Sequence, residues 1–372
     1  MIRAHKIKLN PTTEQALYFA KCAGTSRFVF NYGLARWKEA KAQGLKKFGP
    51  MAIKKELNAI KEEKFPWMYE VSKTVVESAL VNLGKALSNY FDSKAGKRQG
   101  EDVGFPNFKT KKKSKQSFGV ANDRFSVDGH NLKMQKCPGV VNMTESLRFV
   151  GKIMGATVSK VVNNWYISIQ VEVEQPKPIK FEKKSVGIDL GVKTLATLSD
   201  GEQYENQALL RKQLNKLKKL NRQLSRRKQG SNRWYKVKMK LAKFHEDVKA
   251  QRLDIVHKMT TEIATTYELV GVEDLNVKGM VRNRRLALSI SDASMGEILR
   301  QLSYKKALYG GILQKVGRFF ASSKTCGDCG AINKELKLSD RSWVCSSCGA
   351  IHDRDGNASR NIEVEALRLA CA

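Results

Sequence analysis

The spacing of hydrophobic and polar residues changes several times along the chain and predicts the order of its elements. Residues 2 to 9 (IRAHKIKL) alternate as a half-buried strand does. From Pro11 to about residue 95, apolar residues recur at helical spacing, which predicts two helices broken near Gly24 and two further helices. Between residues 117 and 180, short runs of period two are separated by turn residues and predict a small β-domain.

A different pattern begins at Ser185. The run SVGIDLGVKTLATLSDG predicts two strands joined by a tight turn, and TYELVGVEDLNV predicts a buried strand that ends at Glu273. Between them lies a basic helical segment, interrupted at Gly230, whose leucines recur at positions 210, 214, 217, 220 and 224. A helix, a strand from Ile312 and a last helix that starts near Asp355 complete the chain. Strands that alternate with helices in this way are typical of an α/β domain.

The chain is strongly basic. It contains 68 Lys and Arg against 36 Asp and Glu, a net charge of +32. A surplus of that size repels itself unless a polyanion neutralises it, and nucleic acid is the usual polyanion. A solubility surplus and a membrane-surface protein are the alternatives. Residues 206–245 hold 14 Lys or Arg and no acid, and a second basic run covers residues 109–115. The candidate nucleic-acid contacts in these two segments are Lys111, Lys112, Lys113, Arg226, Arg227 and Arg233.

Length and composition limit the class of protein further. A chain of 372 residues predicts two or three domains, and 41% hydrophobic residues are enough for packed cores. No apolar run approaches the roughly 18 residues of a membrane helix, and the first residues lack the apolar core of a signal peptide. We therefore expect a cytoplasmic protein without a membrane partner, whose seven cysteines are free or metal-bound.

Four of the cysteines form a regular pattern. Cys326, Cys329, Cys345 and Cys348 have the spacing C-x2-C-x15-C-x2-C, and a glycine follows the second cysteine of each pair. Four thiolates suit one tetrahedral Zn²⁺ without an open position, which is the form of a structural site. The alternative is a set of unrelated free thiols.

Three carboxylates stand in positions that favour a metal site. Asp189 and Glu273 lie in apolar, strand-like runs, where a charge is costly unless it has a role. Asp355 lies at the start of the last helix, and a sheet edge could bring all three together. Crowded carboxylates need cations, and two Mg²⁺ about 4 Å apart would suit phosphodiester cleavage. The alternative is that each is a surface or capping residue; in particular, Asp355 could cap the helix while Asp353 holds the metal.

Five ordered motifs between Gly187 and Asn361 carry a resemblance. They read GIDLGVKTLAT, VGVEDLNVKGM, DASMGEILRQLSYK, SSKTCGDCG and HDRDGNASRNI. The chain resembles the TnpB (OrfB) family of transposon-encoded RNA-guided DNA nucleases, relatives of the type V CRISPR effectors. RFVFNYGLARW and FPNFKTKKKSKQSF in the first half match that family in style and order. The chain departs from it at Met295, where an aromatic residue is common, and at Gly356 and Ser359.

The resemblance implies a multidomain α/β fold. Its nuclease domain would be RuvC-type and RNase H-like, with an inserted zinc-ribbon module, preceded by a helical recognition lobe and a small β-barrel wedge domain. The expected segments are 1–10 (first wedge strand), 11–115 (recognition lobe), 116–182 (wedge barrel), 183–322 (nuclease with the basic helical segment), 323–350 (zinc insertion) and 351–372 (end of the nuclease).

The resemblance also implies a function. Asp189, Glu273 and Asp355 would be the catalytic residues and the Mg²⁺ ligands, and the four clustered cysteines would hold one structural Zn²⁺. The protein would be a monomer that uses a transposon-derived guide RNA to cut both strands of double-stranded DNA beside a short flanking motif. A prokaryotic, nucleoid-associated location and a partner transposase of the same element are further expectations.

Two other functions remain open. An RNA-independent transposase is disfavoured by the order of the acids and by the cysteine cluster between the last two of them. A repressor that binds DNA through RNA without cutting is disfavoured by the intact triad of acids.

Overall fold

The computed structural model describes residues 1–45, 48–98, 100–337 and 340–371. The chain divides into two compact units, Met1–Gln175 and Pro176–Ala372. Each unit combines helices with a β-sheet, as the alternating patterns in the sequence predict. The six expected segments are finer than this division, and their boundaries stay predictions.

The first unit contains a seven-stranded antiparallel sheet of order β2-β6-β7-β1-β5-β4-β3. Its strands are β1 (Ile2–Asn10), β2 (Ser117–Ala121), β3 (Phe125–Asp128), β4 (Asn131–Met134), β5 (Val140–Met143), β6 (Lys152–Val161) and β7 (Asn164–Glu172). Alternation is regular in β1, where Ile7 and Leu9 are buried and Lys6 and Lys8 are exposed. The inward residues form one core with the start of the first helix. The barrel expected from the resemblance stays a prediction.

The helices of the first unit are α1 (Thr13–Ala42), α2 (Pro50–Lys64) and α3 (Lys73–Lys94). The break predicted near Gly24 is wrong, because α1 continues through it as one 30-residue helix. A single glycine costs a helix only about 1 kcal/mol, and packing of Phe19 and Phe30 on either side of it outweighs that loss. Thr12 and Gln15 close the start of α1 with a capping box.

The second unit has a five-stranded sheet of order β10-β9-β8-β11-β12. Its strands are β8 (Lys183–Asp189), β9 (Thr194–Leu198), β10 (Gln203–Glu205), β11 (Tyr267–Glu273) and β12 (Ile312–Val316). The central strand β8 pairs antiparallel with β9 and parallel with β11, and β11 pairs parallel with β12. A separate hairpin consists of β13 (Ser342–Val344) and β14 (Ile351–Asp353).

The helices of the second unit are α4 (Leu209–Lys212), α5 (Leu214–Ser225), α6 (Asn232–Thr266), α7 (Val277–Arg282), α8 (Ala287–Ala293), α9 (Met295–Tyr309) and α10 (Arg354–Ala370). The interruption predicted at Gly230 is confirmed, since α5 and α6 are separate helices and Gly230 has a φ of +87°. The leucines of α5 are half-buried, and this helix packs on α6.

Two glycines allow α10 to lie directly on the sheet. Gly187 of β8 pairs with Gly271 of β11 in the parallel register. A Cβ at Gly187 would lie 2.0 Å from the carbonyl oxygen of Ser359, and one at Gly271 would lie 2.6 Å from the Cβ of Ala366. Both strands therefore need glycine where the last helix crosses them, and this close approach fixes the position of the start of α10.

Candidate active site and cysteine cluster

Two of the predicted carboxylates lie side by side at the end of the central strands. Asp189 is the last residue of β8 and Glu273 is the last residue of β11. The strands are parallel, with Val272 opposite Ile188, so both strands end at the same edge of the sheet. Because side chains alternate along a strand, Asp189 faces the same side as Gly187. That is the side on which α10 packs.

The third carboxylate comes from α10 itself. Asp355 is the second residue of this helix. The N-cap is Asp353, whose carboxylate accepts a hydrogen bond from the Gly356 N–H at 2.8 Å. The alternative in which Asp355 caps the helix is therefore wrong, because Asp353 has that role. The carboxylate of Asp355 is left for other partners.

Electrostatics confirm that the three acids share one neighbourhood. Burial raises the pKa of Asp189 to about 7, and the negative charges of Glu273 and Asp355 add to the effect. Arg354 and Arg341 oppose this rise in pKa. The same two arginines pair with Asp355, at 2.9 Å and 3.0 Å respectively. An acid whose pKa is raised by burial and by neighbouring negative charges is a frequent mark of a functional site.

Glu273 has a different kind of partner. The hydroxyl of the buried residue Ser322 donates a 2.6 Å hydrogen bond to its Oε1 atom. The neighbouring acid Asp274 is instead bound by Arg318 at 2.8 Å and lies 3.5 Å from the Lys315 ammonium. The two adjacent acids therefore differ, since cations of the chain hold Asp274 and a neutral hydroxyl holds Glu273.

The donor set of this edge suits hard divalent cations. Carboxylate oxygens are the ligands that Mg²⁺ prefers. Within the described ranges, the group whose ligand atoms all lie inside 4.8 Å of one another is the cysteine cluster.

The four predicted cysteines meet in space as the spacing indicates. The Sγ atoms of Cys326 and Cys348 are 3.6 Å apart, and those of Cys329 and Cys345 are also 3.6 Å apart. All four sulfur atoms lie within 4.8 Å of one another. Tetrahedral Zn–S bonds of about 2.3 Å separate two sulfurs by about 3.8 Å, so the cluster has the dimensions of a zinc site.

The two cysteine pairs adopt the same turn. Gly330 and Gly349 both have a φ of +77°, in the left-handed region that favours glycine. Each donates its N–H to the carbonyl of the first cysteine of its pair, Cys326 at 2.9 Å and Cys345 at 2.8 Å. The glycine that follows the second cysteine of each pair therefore completes a tight backbone turn around the cluster.

Three further residues connect the cysteine cluster to the last helix, and the sequence analysis missed them. The Nε2 atom of buried His352 lies 3.0 Å from the Sγ atom of Cys326. Asn357 and Asn361, which are four residues apart on one face of α10, bind the backbone just before and after Cys326. The spacing of the two asparagines in HDRDGNASRNI could have indicated a polar buried face.

The candidate nucleic-acid contacts are all at the surface. Lys111, Lys112 and Lys113 are exposed in a turn of the first unit. Arg226 and Arg227 follow α5, Arg233 lies in the first turn of α6, and all three are exposed. Across the described part of the chain, no helix combines the length and the apolar character that a bilayer crossing needs.

Three family models match parts of the chain. Residues 168–284 match a family described as "Probable transposase" (OrfB), and residues 296–362 match one described as "Cas12f1-like, TNB domain". Residues 1–46 match a model described as a helix-turn-helix domain, although in the described part of that range the chain forms β1 and the single helix α1.

Similar proteins are found over the whole length. A Streptomyces pristinaespiralis protein, whose name gives it a proposed RNA-guided DNA endonuclease activity, is 33% identical over 97% of this chain and 88% of its own. The Escherichia coli protein InsQ, named in the same way, is 32% identical over 97% of this chain and 91% of its own. In fold, the chain is similar to the protein of a Cas12f1–sgRNA–target DNA complex, with a TM-score of 0.56 at 15% identity over 94% of this chain and 82% of that one. By this full-length similarity and the matching OrfB model, the chain belongs to the TnpB (OrfB) family.

Proposed function

We propose that this protein is a guide-RNA-directed endonuclease that cuts double-stranded DNA. The observation that carries the proposal is the convergence of Asp189, Glu273 and Asp355 at one edge of the second sheet. The names of its full-length relatives support the same activity. An excess of positive charge, +32 over the chain, suits a protein that holds RNA and DNA together.

The nuclease domain is of the RuvC type with an RNase H-like fold. The sheet order β10-β9-β8-β11-β12, antiparallel on one side of β8 and parallel on the other, supports this assignment. The cysteine cluster lies in the chain between Glu273 and Asp355, as an inserted zinc module would. The first unit would supply the recognition lobe and the wedge domain.

The carboxylates would act by holding two divalent cations. Bound cations of this kind supply the Lewis acidity that hydrolysis of a phosphodiester needs. Burial, with a smaller contribution from the negative charges of Glu273 and Asp355, raises the pKa of Asp189 to about 7. Asp355 stands on a helix whose first turn is closed by Asp353, so its backbone is fixed before any ligand binds.

The choice of target would rest with the RNA. Base pairing between guide and target strand reads the sequence, and the protein reads shape, backbone and a short flanking motif. The exposed residues Lys111–Lys113, Arg226, Arg227 and Arg233 are proposed to contact phosphates. Cutting of both strands, action as a monomer and cooperation with a partner transposase belong to the same proposal.

The test is to separate cutting from binding. Asp189→Ala and Glu273→Ala, each assembled with guide RNA, should lose cleavage of a matched plasmid but still bind the target in a gel-shift assay. The carboxylates hold metal and do not grip the duplex, so binding should be within about twofold of wild type. Glu268→Gln is the matched control, because this exposed acid lies on β11 at the end away from Glu273.

The proposal would be overturned if either alanine variant cut at close to the wild-type rate in Mg²⁺. Wild-type protein that binds its target through RNA and never cuts it would instead support the repressor.

A further inference from the structure

A short segment between β12 and the cysteine cluster is attached to the last helix by two side-chain amides. The Nδ2 atom of Asn361 donates to the carbonyl oxygens of Ser322 and Thr325, each at 2.7 Å. The Nδ2 atom of Asn357 donates to the same Thr325 oxygen at 2.7 Å, and its Oδ1 accepts the N–H of Gly327 at 2.9 Å. Both asparagines are at least 92% buried, so these bonds are shielded from water.

This attachment places one hydroxyl against a candidate metal ligand. Ser322 is 6% exposed, and its Oγ donates to Oε1 of Glu273 at 2.6 Å. Among the described residues, Ser322 is the one hydrogen-bond partner of the Glu273 carboxylate. The backbone of Ser322 is fixed on both sides, since its N–H donates to the Phe320 carbonyl at 2.9 Å and its carbonyl accepts from Asn361.

The Ser322 hydroxyl that binds Glu273 is uncharged, unlike the partners of the two other acids nearby. Two arginines hold Asp355 and Arg318 holds Asp274, and an arginine orients a carboxylate but also neutralises it. A hydroxyl orients the carboxylate of Glu273 without neutralising it, so the full charge stays available to a cation. Hydrogen bonds of this kind around metal ligands fix the ligand's orientation and raise its affinity for the metal.

We propose that Ser322 is a positioning residue for the nuclease, which orients Glu273 as a metal ligand through its hydroxyl. The inference rests on the proposed function of the carboxylate site. Asn361 acts one step further away, because it holds the backbone of Ser322 to the helix that carries Asp355. The donor and its acceptor are 49 positions apart in the chain, so the contact depends on the fold.

The experiment measures metal binding directly. Zinc-loaded full-length protein is titrated with Mn²⁺ alone and followed by electron paramagnetic resonance, and cleavage is measured in parallel with guide RNA and Mg²⁺. Ser322→Ala should weaken Mn²⁺ binding about 10- to 100-fold, the usual effect of removing such a partner. Ser323→Ala is the control next in the chain, and zinc content and guide-RNA binding should stay at wild-type values in both variants.

A second pair of variants isolates the hydroxyl from any effect on packing. Ser322→Thr and Ser322→Val add almost the same volume, but only threonine keeps the donor. The Ser322→Thr protein should bind Mn²⁺ at least about 10-fold more tightly than the Ser322→Val protein. Equal affinities in the Thr and Val variants, or an Ala variant with wild-type affinity, would overturn the proposal. If wild-type protein shows no Mn²⁺ site that Asp189→Ala removes, the proposed function fails instead.

Discussion

Replacement of Gly187 by alanine tests the packing that brings Asp355 to the sheet. An added Cβ would lie 2.0 Å from the carbonyl oxygen of Ser359 and 2.4 Å from the backbone nitrogen of Glu363. Both atoms belong to the backbone of α10, so no side-chain rotation can relieve the clash. The helix must move away from β8, and Asp355 must move with it.

The size of the effect follows from two opposing contributions. Alanine is better than glycine in a strand interior by about 0.5–1 kcal/mol. Non-bonded atoms need about 3.4 Å or more, so the helix must withdraw by about 1.4 Å, and overpacking of this kind costs about 1–3 kcal/mol or more. The steric cost is larger. A net loss of about 2 kcal/mol should lower the Tm of a unit of this size by roughly 4–8 °C.

The assay combines thermal unfolding with guided cleavage. Gly187→Ala should lower both the Tm and the cleavage rate. Gly271→Ala should have a smaller effect, because a Cβ there would lie 2.6 Å from its closest neighbour, the Cβ of Ala366, so the helix has less far to move. Gly296→Ala is the control, since a Cβ there meets its nearest atom at 3.8 Å. A Gly187→Ala protein with wild-type Tm and cleavage would refute the account of how α10 is placed.

Three further predictions concern the sites themselves. Asp355→Asn should leave a folded, RNA-bound protein without cleavage, whereas Asp353→Asn, which can still cap α10, should retain measurable cleavage; the reverse pattern would move the metal ligand to Asp353. Cys345→Ser should lower stability and reduce zinc from one per chain, and active wild-type enzyme without zinc in elemental analysis would contradict the assignment. Purified protein should carry RNA, with an affinity that falls steeply as salt rises, and salt-independent binding would speak against the basic segment 206–245 as its contact.

The positions of two of the proposed catalytic acids were predictable because each breaks a local rule. Asp189 and Glu273 each end an apolar run, and the structure shows two parallel strands that end together. The cysteine cluster was also predictable from a short stretch of sequence, because the spacing of its cysteines encodes the turns that Gly330 and Gly349 adopt. In these cases a short stretch of sequence is enough to determine the local structure.

Other features depend on contacts that local patterns do not contain. The choice between Asp353 and Asp355 as helix cap was open, because both are aspartates and either one suits an N-cap. Only the backbone geometry of the folded chain decides between them. Ser322 gave no signal, because its partner Glu273 lies 49 positions away.

In the proposed function, RNA directs the cutting. The most direct measurement uses the purified wild-type protein, a guide RNA identified by sequencing the RNA that co-purifies with it, and Mg²⁺. A plasmid that carries the matching sequence beside the flanking motif should be cut when the guide is present. It should stay intact when the guide is omitted or its pairing segment is scrambled. Equal cleavage with and without the guide would contradict the account and favour an RNA-independent enzyme.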